Sequence, residues 1–503
     1  MPYLIGLDIG TTSTKAIAFA VKGGIWSEAY AEYPIHSPQP SFSEQDPEEI
    51  FQAVLQVIRK VAAQHPDEEL LGVSCSSAMH SVIALDIAGR TLTRCIIWAD
   101  TRSKEEAARI KGSREGHEIY MSTGTPIHPM SPLCKLAWLR KHQPGLFYST
   151  YKFVSIKEYV LFRLFGRYLV DYSIASATGL FDIFRLQWHE GALAMAGVSA
   201  RQLSEPVPPT SVLTGLNQKC ATFMGIRADL PFVIGASDGC LANLGANAIR
   251  PGNAAVTIGT SGAIRVLADK PATDRRERIF SYILTEHHYV LGGAISNAGV
   301  VLRWFRDTFA AAEIQEAQEK GMNAYVILNQ KAAGIHAGAG GLIFLPYLLG
   351  ERAPVWDASA RGVFFGVNIN HTREHFLRAV LEGVMYAVYS VGKALQQTTG
   401  EINVIYANGG FVRSELWVQM LADVFGKKVL VTESFEGSAV GAALLGMKAL
   451  GLIASFEEVE GLIPIVGIYE PDLKRHETYM RNFDVFERLY DKLKDEFPLV
   501  SGV

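Results

Sequence analysis

The sequence predicts an α/β protein built from two related halves, and three observations carry that expectation. The chain has 503 residues, of which 49% are hydrophobic and 19% charged, long enough for two or more domains and apolar enough to fill their cores. Short apolar runs alternate with stretches of helical periodicity, as in an α/β fold. A strand, Gly-Thr turn, strand pattern that opens the chain returns 249 positions later, about half a chain on.

Residues 4–9 form an apolar run with one acid, Asp8; Gly10-Thr11-Thr12-Ser13-Thr14 and a second apolar run, 16–21, complete strand, tight turn and strand. Asp46-Pro47-Glu48-Glu49 reads as a helix start, with a capping Asp, Pro at the first helical position and acids in the first turn. Behind it Ile50, Val54, Leu55, Ile58, Val61 and Ala62 recur at helical spacing, so the helix buries one face. Strands are expected at 70–74 and around 81–85, and a third at 231–234 leads into Gly235-Ala236-Ser237-Asp238-Gly239. Residues 254–266 repeat the opening pattern around Gly259-Thr260-Ser261-Gly262, which places the boundary between halves near 246–252 and gives domains of 1–247 and 248–503.

Composition narrows the function. Lys and Arg total 47 against 51 Asp and Glu, and no long basic run provides a nucleic-acid footprint. Five widely spaced cysteines with no C-x-x-C pair argue against a zinc or redox centre and for a reducing, cytoplasmic setting. No signal-peptide pattern opens the chain, and the most apolar later stretch, 340–350, falls far short of the roughly 18 residues of a membrane span. No nucleic-acid or membrane partner is expected.

A strand ending in Asp and entering a Gly-Thr-Thr turn suits phosphate chemistry: turn N–H groups and hydroxyls cradle phosphate oxygens, Asp8 holds Mg²⁺ directly or through water, and Lys15 reaches the same phosphates. An ordinary hairpin has the same local sequence; the second Gly259-Thr260-Ser261 turn is what favours a clamp on a triphosphate. No G-x-x-x-x-G-K-[ST] precedes a helix, which excludes a P-loop, and the first strand lacks the G-x-G-x-x-G of a nicotinamide oxidoreductase. Asp238 has two readings, a base for phosphoryl transfer or the cap of a turn or helix.

Asp8 to Lys15, Ala78-Met79-His80, Trp98-Ala99-Asp100-Thr101-Arg102, Asp238, the 257–262 turn and Asn408-Gly409-Gly410 occur together and in order. With the signature-like segments 130–139 and 362–382 they resemble the FGGY family of carbohydrate kinases over roughly residues 4–450. Segments 76–81, 124–132 and 171–179 are most similar to its gluconate-phosphorylating branch, and Met79-His80-Ser81 in place of the family's commoner Met-His-Gly points away from its xylulose-phosphorylating members.

The resemblance implies two actin-like (ribonuclease H-like) ATPase domains with ATP and sugar meeting in an interdomain cleft. It implies Asp238 as catalytic base and Thr11, Thr12 and Ser13 as the first phosphate loop. Gly259 and Thr260 fall in the second loop, Gly299 and Arg303 approach the nucleotide, and Gly409, Gly410 and Ser414 lie in the adenosine segment. The small-residue run 437–443 either packs beside the adenine or serves helix packing alone.

For D-gluconate the pocket needs a cation or several donors: Arg102 first, then His80, His128 and Lys157, with Met79 beside them. Asp100 either accepts sugar hydroxyls or pairs with Arg102. The expected reaction is Mg²⁺- and ATP-dependent phosphorylation of the terminal 6-hydroxyl of D-gluconate by a cytoplasmic enzyme, with a homodimer as the expected assembly. The rivals are the same reaction on xylulose or another polyol, an actin-like ATPase switch, and a sugar sensor.

Overall fold

In this computed structural model, residues 1–433 and 437–501 are described. The chain divides into two compact units. Unit 1 comprises Met1–Pro251, Leu267–Leu291 and Glu436–Pro464; unit 2 comprises Gly252–Val266, Gly292–Phe435 and Ile465–Val503.

Unit 1 is built on a six-stranded sheet ordered Val212–Leu213, Phe232–Ser237, Leu70–Ser77, Tyr3–Ile9, Ser13–Ala20, Ile25–Glu32. Tyr3–Ile9 pairs antiparallel with Ser13–Ala20 and parallel with Leu70–Ser77, which in turn pairs parallel with Phe232–Ser237. The helix Pro47–Ala63 begins as expected: Asp46 Oδ1 accepts the Glu48 N–H, and Ile50, Val54, Leu55, Ile58 and Val61 are buried. These side chains share one apolar core with Ile5, Leu7 and Ile9 of the first strand. The strand expected around 81–85 forms only at Ile83–Leu85, and it pairs with Lys152–Val154 in a separate ribbon. The chain has left the main sheet at Ser77, and His80 turns it with φ 68°.

The helix Gly437–Ala449 belongs to unit 1, where it packs on Asp238–Gly245 and on the first strand. A Cβ on Gly441 would sit 2.0 Å from the Leu241 carbonyl oxygen, and one on Gly6 would sit 2.1 Å from that of Ala439. Close helix packing therefore accounts for the small residues of 437–443.

Unit 2 repeats the pairing. Asn253–Ile258 lies antiparallel to Gly262–Ala268 and parallel to Val404–Asn408, which is parallel to Lys428–Thr432; Ile465–Tyr469 adds an antiparallel strand. Two mixed sheets with matching strand order give the two-domain α/β architecture of actin-like ATPase domains. Among the described residues no helix is long and apolar enough to cross a membrane.

Candidate functional site

Asp8 lies near the end of the first strand, half-buried, and its Oδ1 accepts the Ser76 hydroxyl at 2.7 Å from the neighbouring parallel strand. The turn that follows is braced from several sides. The Gly10 N–H donates to the Ser13 carbonyl at 3.0 Å, and the Tyr33 hydroxyl donates to the Gly10 carbonyl at 2.7 Å. Gln45 donates to the Thr11 carbonyl at 2.6 Å, and the Trp98 indole N–H donates to Thr11 Oγ1 at 2.9 Å. A braced turn meets an anion without first losing loop entropy. Thr12 is exposed at its tip, while Lys15 faces Asp8 across the antiparallel pair and lies 3.9 Å from Glu28.

Asp238 is the first residue of the helix Asp238–Gly245 and directly follows the strand Phe232–Ser237. Its Oδ1 accepts the Gly239 N–H at 2.7 Å, so the carboxylate serves the helix start, where the helix field favours an anion. The same half-buried position keeps it within reach of solvent. Lys157, 1% exposed, donates to Asp171 Oδ2 at 2.7 Å and to the Ala236 carbonyl at 3.1 Å. Its ammonium thus secures the strand that presents Asp238. Ser173 accepts the Ser237 N–H at 3.0 Å and reinforces that end.

Segments far apart in the chain are bonded into one network. The Nδ1–H of His80 donates to the Ala177 carbonyl at 2.7 Å, Thr125 donates to the Ser176 carbonyl at 2.5 Å, and Ser103 donates to the Pro129 carbonyl at 3.0 Å. Met79 is half-buried against the apolar core, and His128 Nδ1 accepts the Met130 N–H at 3.2 Å. Asp100 is fully buried and accepts the Ser43 N–H at 2.7 Å. Arg102 donates from Nε and Nη2 to Asp100 and from Nη2 to Glu44 at 2.5 Å, with its guanidinium 3.6 Å over the Phe42 ring. The guanidinium therefore already neutralises two protein carboxylates.

In unit 2 the second Gly-Thr turn rests on a helix N-terminus. Gly299 and Val300, at the start of Gly299–Phe309, donate N–H groups to the carbonyls of Gly259 and Thr260 at 2.9 and 3.0 Å. A Cβ on Gly299 would come within 2.4 Å of the Gly259 carbonyl, and one on Gly409, at φ 97°, within 2.6 Å of the Ile258 carbonyl. Gly259, Thr260, Gly299 and Gly409 thus gather at the carboxyl end of the Asn253–Ile258 strand. Arg303 is exposed one turn along that helix, Gly410 is exposed, and Ser414 caps Glu415–Phe425 by accepting the Trp417 N–H.

The chain matches two family models: FGGY family of carbohydrate kinases, N-terminal domain, over residues 3–245, and the C-terminal domain over residues 254–450. It belongs to the FGGY family of carbohydrate kinases. A gluconokinase of Bacillus licheniformis is 47% identical over 501 residues, covering 99% of this chain and 98% of the relative. A xylulose kinase of Bacillus subtilis (strain 168) is 29% identical over 500 residues, covering 98% of each chain. The crystal structure of a gluconate kinase from Lactobacillus acidophilus aligns with a TM-score of 0.94 at 34% identity, covering 99% of this chain and 100% of that one. A ligand-bound xylulose kinase from the same organism aligns with the same TM-score and identity, covering 100% of both chains.

As an FGGY kinase the protein is a phosphotransferase, and sugar kinases of this family use ATP with a divalent metal. Among the described residues no group of three or more His, Cys, Asp or Glu side chains forms a ready-made metal cage. A kinase metal held mainly by phosphate oxygens and water needs only one or two protein carboxylates, and the single strand-end carboxylate of Asp8 fits that. Contacts that sequence reasoning did not assign are made here by Tyr33, Ser43, Glu44, Gln45 and Ser76, and by Lys135, whose Nζ donates to the His80 carbonyl at 2.5 Å. Lys135 alone left a signal, as a charge inside the otherwise apolar 133–139 stretch.

Proposed function

We propose that the protein transfers the γ-phosphoryl group of Mg-ATP to the terminal 6-hydroxyl of D-gluconate, giving 6-phospho-D-gluconate. The observation that carries the choice of sugar acid is the 47% identity to a gluconokinase over nearly the whole chain, against 29% to a xylulose kinase of equal coverage. The bonded network of segments 76–81, 124–132 and 171–179 supports a common substrate subsite for them.

In this reading Asp238 accepts the proton of the attacking hydroxyl as the phosphoryl group transfers, while Lys157 and Ser173 keep its strand end in place. Met79, His80 and His128 line the sugar subsite, and the buried Asp100–Arg102 pair supports it from behind. Thr11, Thr12, Ser13 and Lys15 receive phosphate oxygens, as do Gly259 and Thr260; Gly299, Arg303, Gly409, Gly410 and Ser414 serve the nucleotide. Asp8 would hold Mg²⁺, which when bound neutralises phosphate charge. The family domains are assigned to 1–247 and 248–503. Five free cysteines support a cytoplasmic setting, and a homodimer is the proposed assembly.

The test is a panel of sugars, sugar acids and polyols assayed for ADP release with Mg-ATP. Gluconate is expected to show the highest kcat/KM; xylulose or glycerol turning over more efficiently overturns the substrate assignment and leaves the family intact.

A further inference from the structure

We infer that Lys135 is a positioning residue for the sugar subsite: its ammonium draws the carbonyls of His80 and Ile97 to one point and so sets the spacing between the 79–80 loop and the 98–102 loop. The inference rests on the reading that those two loops hold the sugar.

Lys135 lies on the helix Pro132–His142, completely buried and flanked by the buried Leu133, Cys134 and Leu136. An ammonium in such a place is costly unless each of its three N–H groups finds an acceptor. Nζ lies 2.5 Å from the His80 carbonyl, 2.7 Å from that of Ile97 and 3.4 Å from that of Ile96. Helix packing alone would be served by Leu or Met, so the charge has a different use.

Its acceptors explain that use. His80 sits at φ 68° with its ring bonded to the Ala177 carbonyl, so one residue is fixed through both backbone and side chain. Ile97 immediately precedes Trp98, which bonds Thr11, and stands three residues before Asp100. One ammonium therefore joins the segment of His80 to the segment that touches the first phosphate loop. Its charge also acts on the Asp100 carboxylate, the one that Arg102 pairs. The charged and titratable groups that act on Lys135 are Asp100, Arg102, Cys95 and Cys134, and burial brings its pKa down to about 7.

The test compares Lys135→Met, which keeps the apolar bulk, with Lys135→Gln, which keeps two N–H donors. The sugar KM should rise tenfold or more in Lys135→Met and less in Lys135→Gln, with kcat less affected and the KM for ATP within about twofold of wild type. A sugar KM within twofold of wild type beside a lowered Tm, or KM values for sugar and ATP rising in proportion, overturns the inference. A measurement on the wild-type enzyme covers variants that fail to fold. As pH rises from 6 to 9 the ammonium loses charge and the sugar KM should climb while that for ATP stays level; a level sugar KM overturns the inference. Each KM is taken with the best substrate of the panel, so a wrong substrate assignment and a wrong role for Lys135 fail separately.

Discussion

Arg102→Leu is expected to damage stability more than selectivity. The Arg102 side chain is 3% exposed and that of Asp100 is 0% exposed, so the pair is desolvated, and Glu44 adds a second carboxylate to the same guanidinium. Removing one partner of a buried pair costs about 3–5 kcal/mol, because the remaining charge stays buried without its counterion. Asp100 keeps the Ser43 N–H in the variant, which places the expectation toward the lower end of that range. Loss of the stack on Phe42 adds roughly 1 kcal/mol.

With a urea slope of about 3 kcal/mol per molar, a loss of that size lowers the unfolding midpoint by about 1–2 M. The assay is urea unfolding followed by intrinsic fluorescence, alongside kcat/KM on gluconate and on a neutral polyol. A midpoint shift below about 0.3 M, the size expected from an exposed ion pair, refutes the buried triad. Both substrates should lose efficiency in proportion, since Nε and Nη2 already face protein carboxylates. A tenfold or greater loss confined to gluconate would instead put the guanidinium on the substrate carboxylate.

Asp238→Asn should lower kcat by about 10²–10⁴ with ATP binding retained by calorimetry, and a variant within threefold of wild type excludes Asp238 as an important base. Asp8→Asn should raise the Mg²⁺ concentration needed for half-maximal activity severalfold, and an unchanged Mg²⁺ titration refutes the assignment. Gly299→Ala should raise the KM for ATP with little change in that for sugar, because its Cβ falls 2.4 Å from the Gly259 carbonyl and displaces the second turn; equal effects on both refute it. Lys135 also sets a pH dependence of stability. Its pKa falls from 10.5 to about 7 on folding, so between those values the unfolded chain binds more protons and stability should rise with pH. Denaturant midpoints across pH 7–10 should show that rise in wild type and a flatter profile in Lys135→Met.

Legibility followed the range of the interactions. The helix at Pro47 and the strand pair around Gly10 declare themselves because cap, periodicity and turn residues lie within a few positions of one another. The return of the Gly-Thr turn at Gly259 exposed the second half for the same reason, and the three shared strand pairings are the physical form of that repeat. The strand around 81–85 was only partly legible. Its residues favour an extended conformation, but the chain leaves the main sheet after Ser77 and turns through the left-handed region at His80, so only Ile83–Leu85 pairs, in a separate ribbon.

Partnership was the least legible property. Arg102 and Lys157 stand out in the sequence as cations available to a sugar acid, yet what a cation does depends on carboxylates supplied from elsewhere. Glu44 is 58 positions from Arg102, and Asp171 is 14 from Lys157. No periodicity links such pairs; only the fold does. The same holds for Lys135, whose acceptors lie 38 to 55 positions away and are backbone carbonyls, which carry no residue-type signal at all. A lysine inside an apolar helix face is the one trace such an arrangement leaves in sequence. Its cost when buried requires acceptors somewhere, and the loops that provide them are held in place by it.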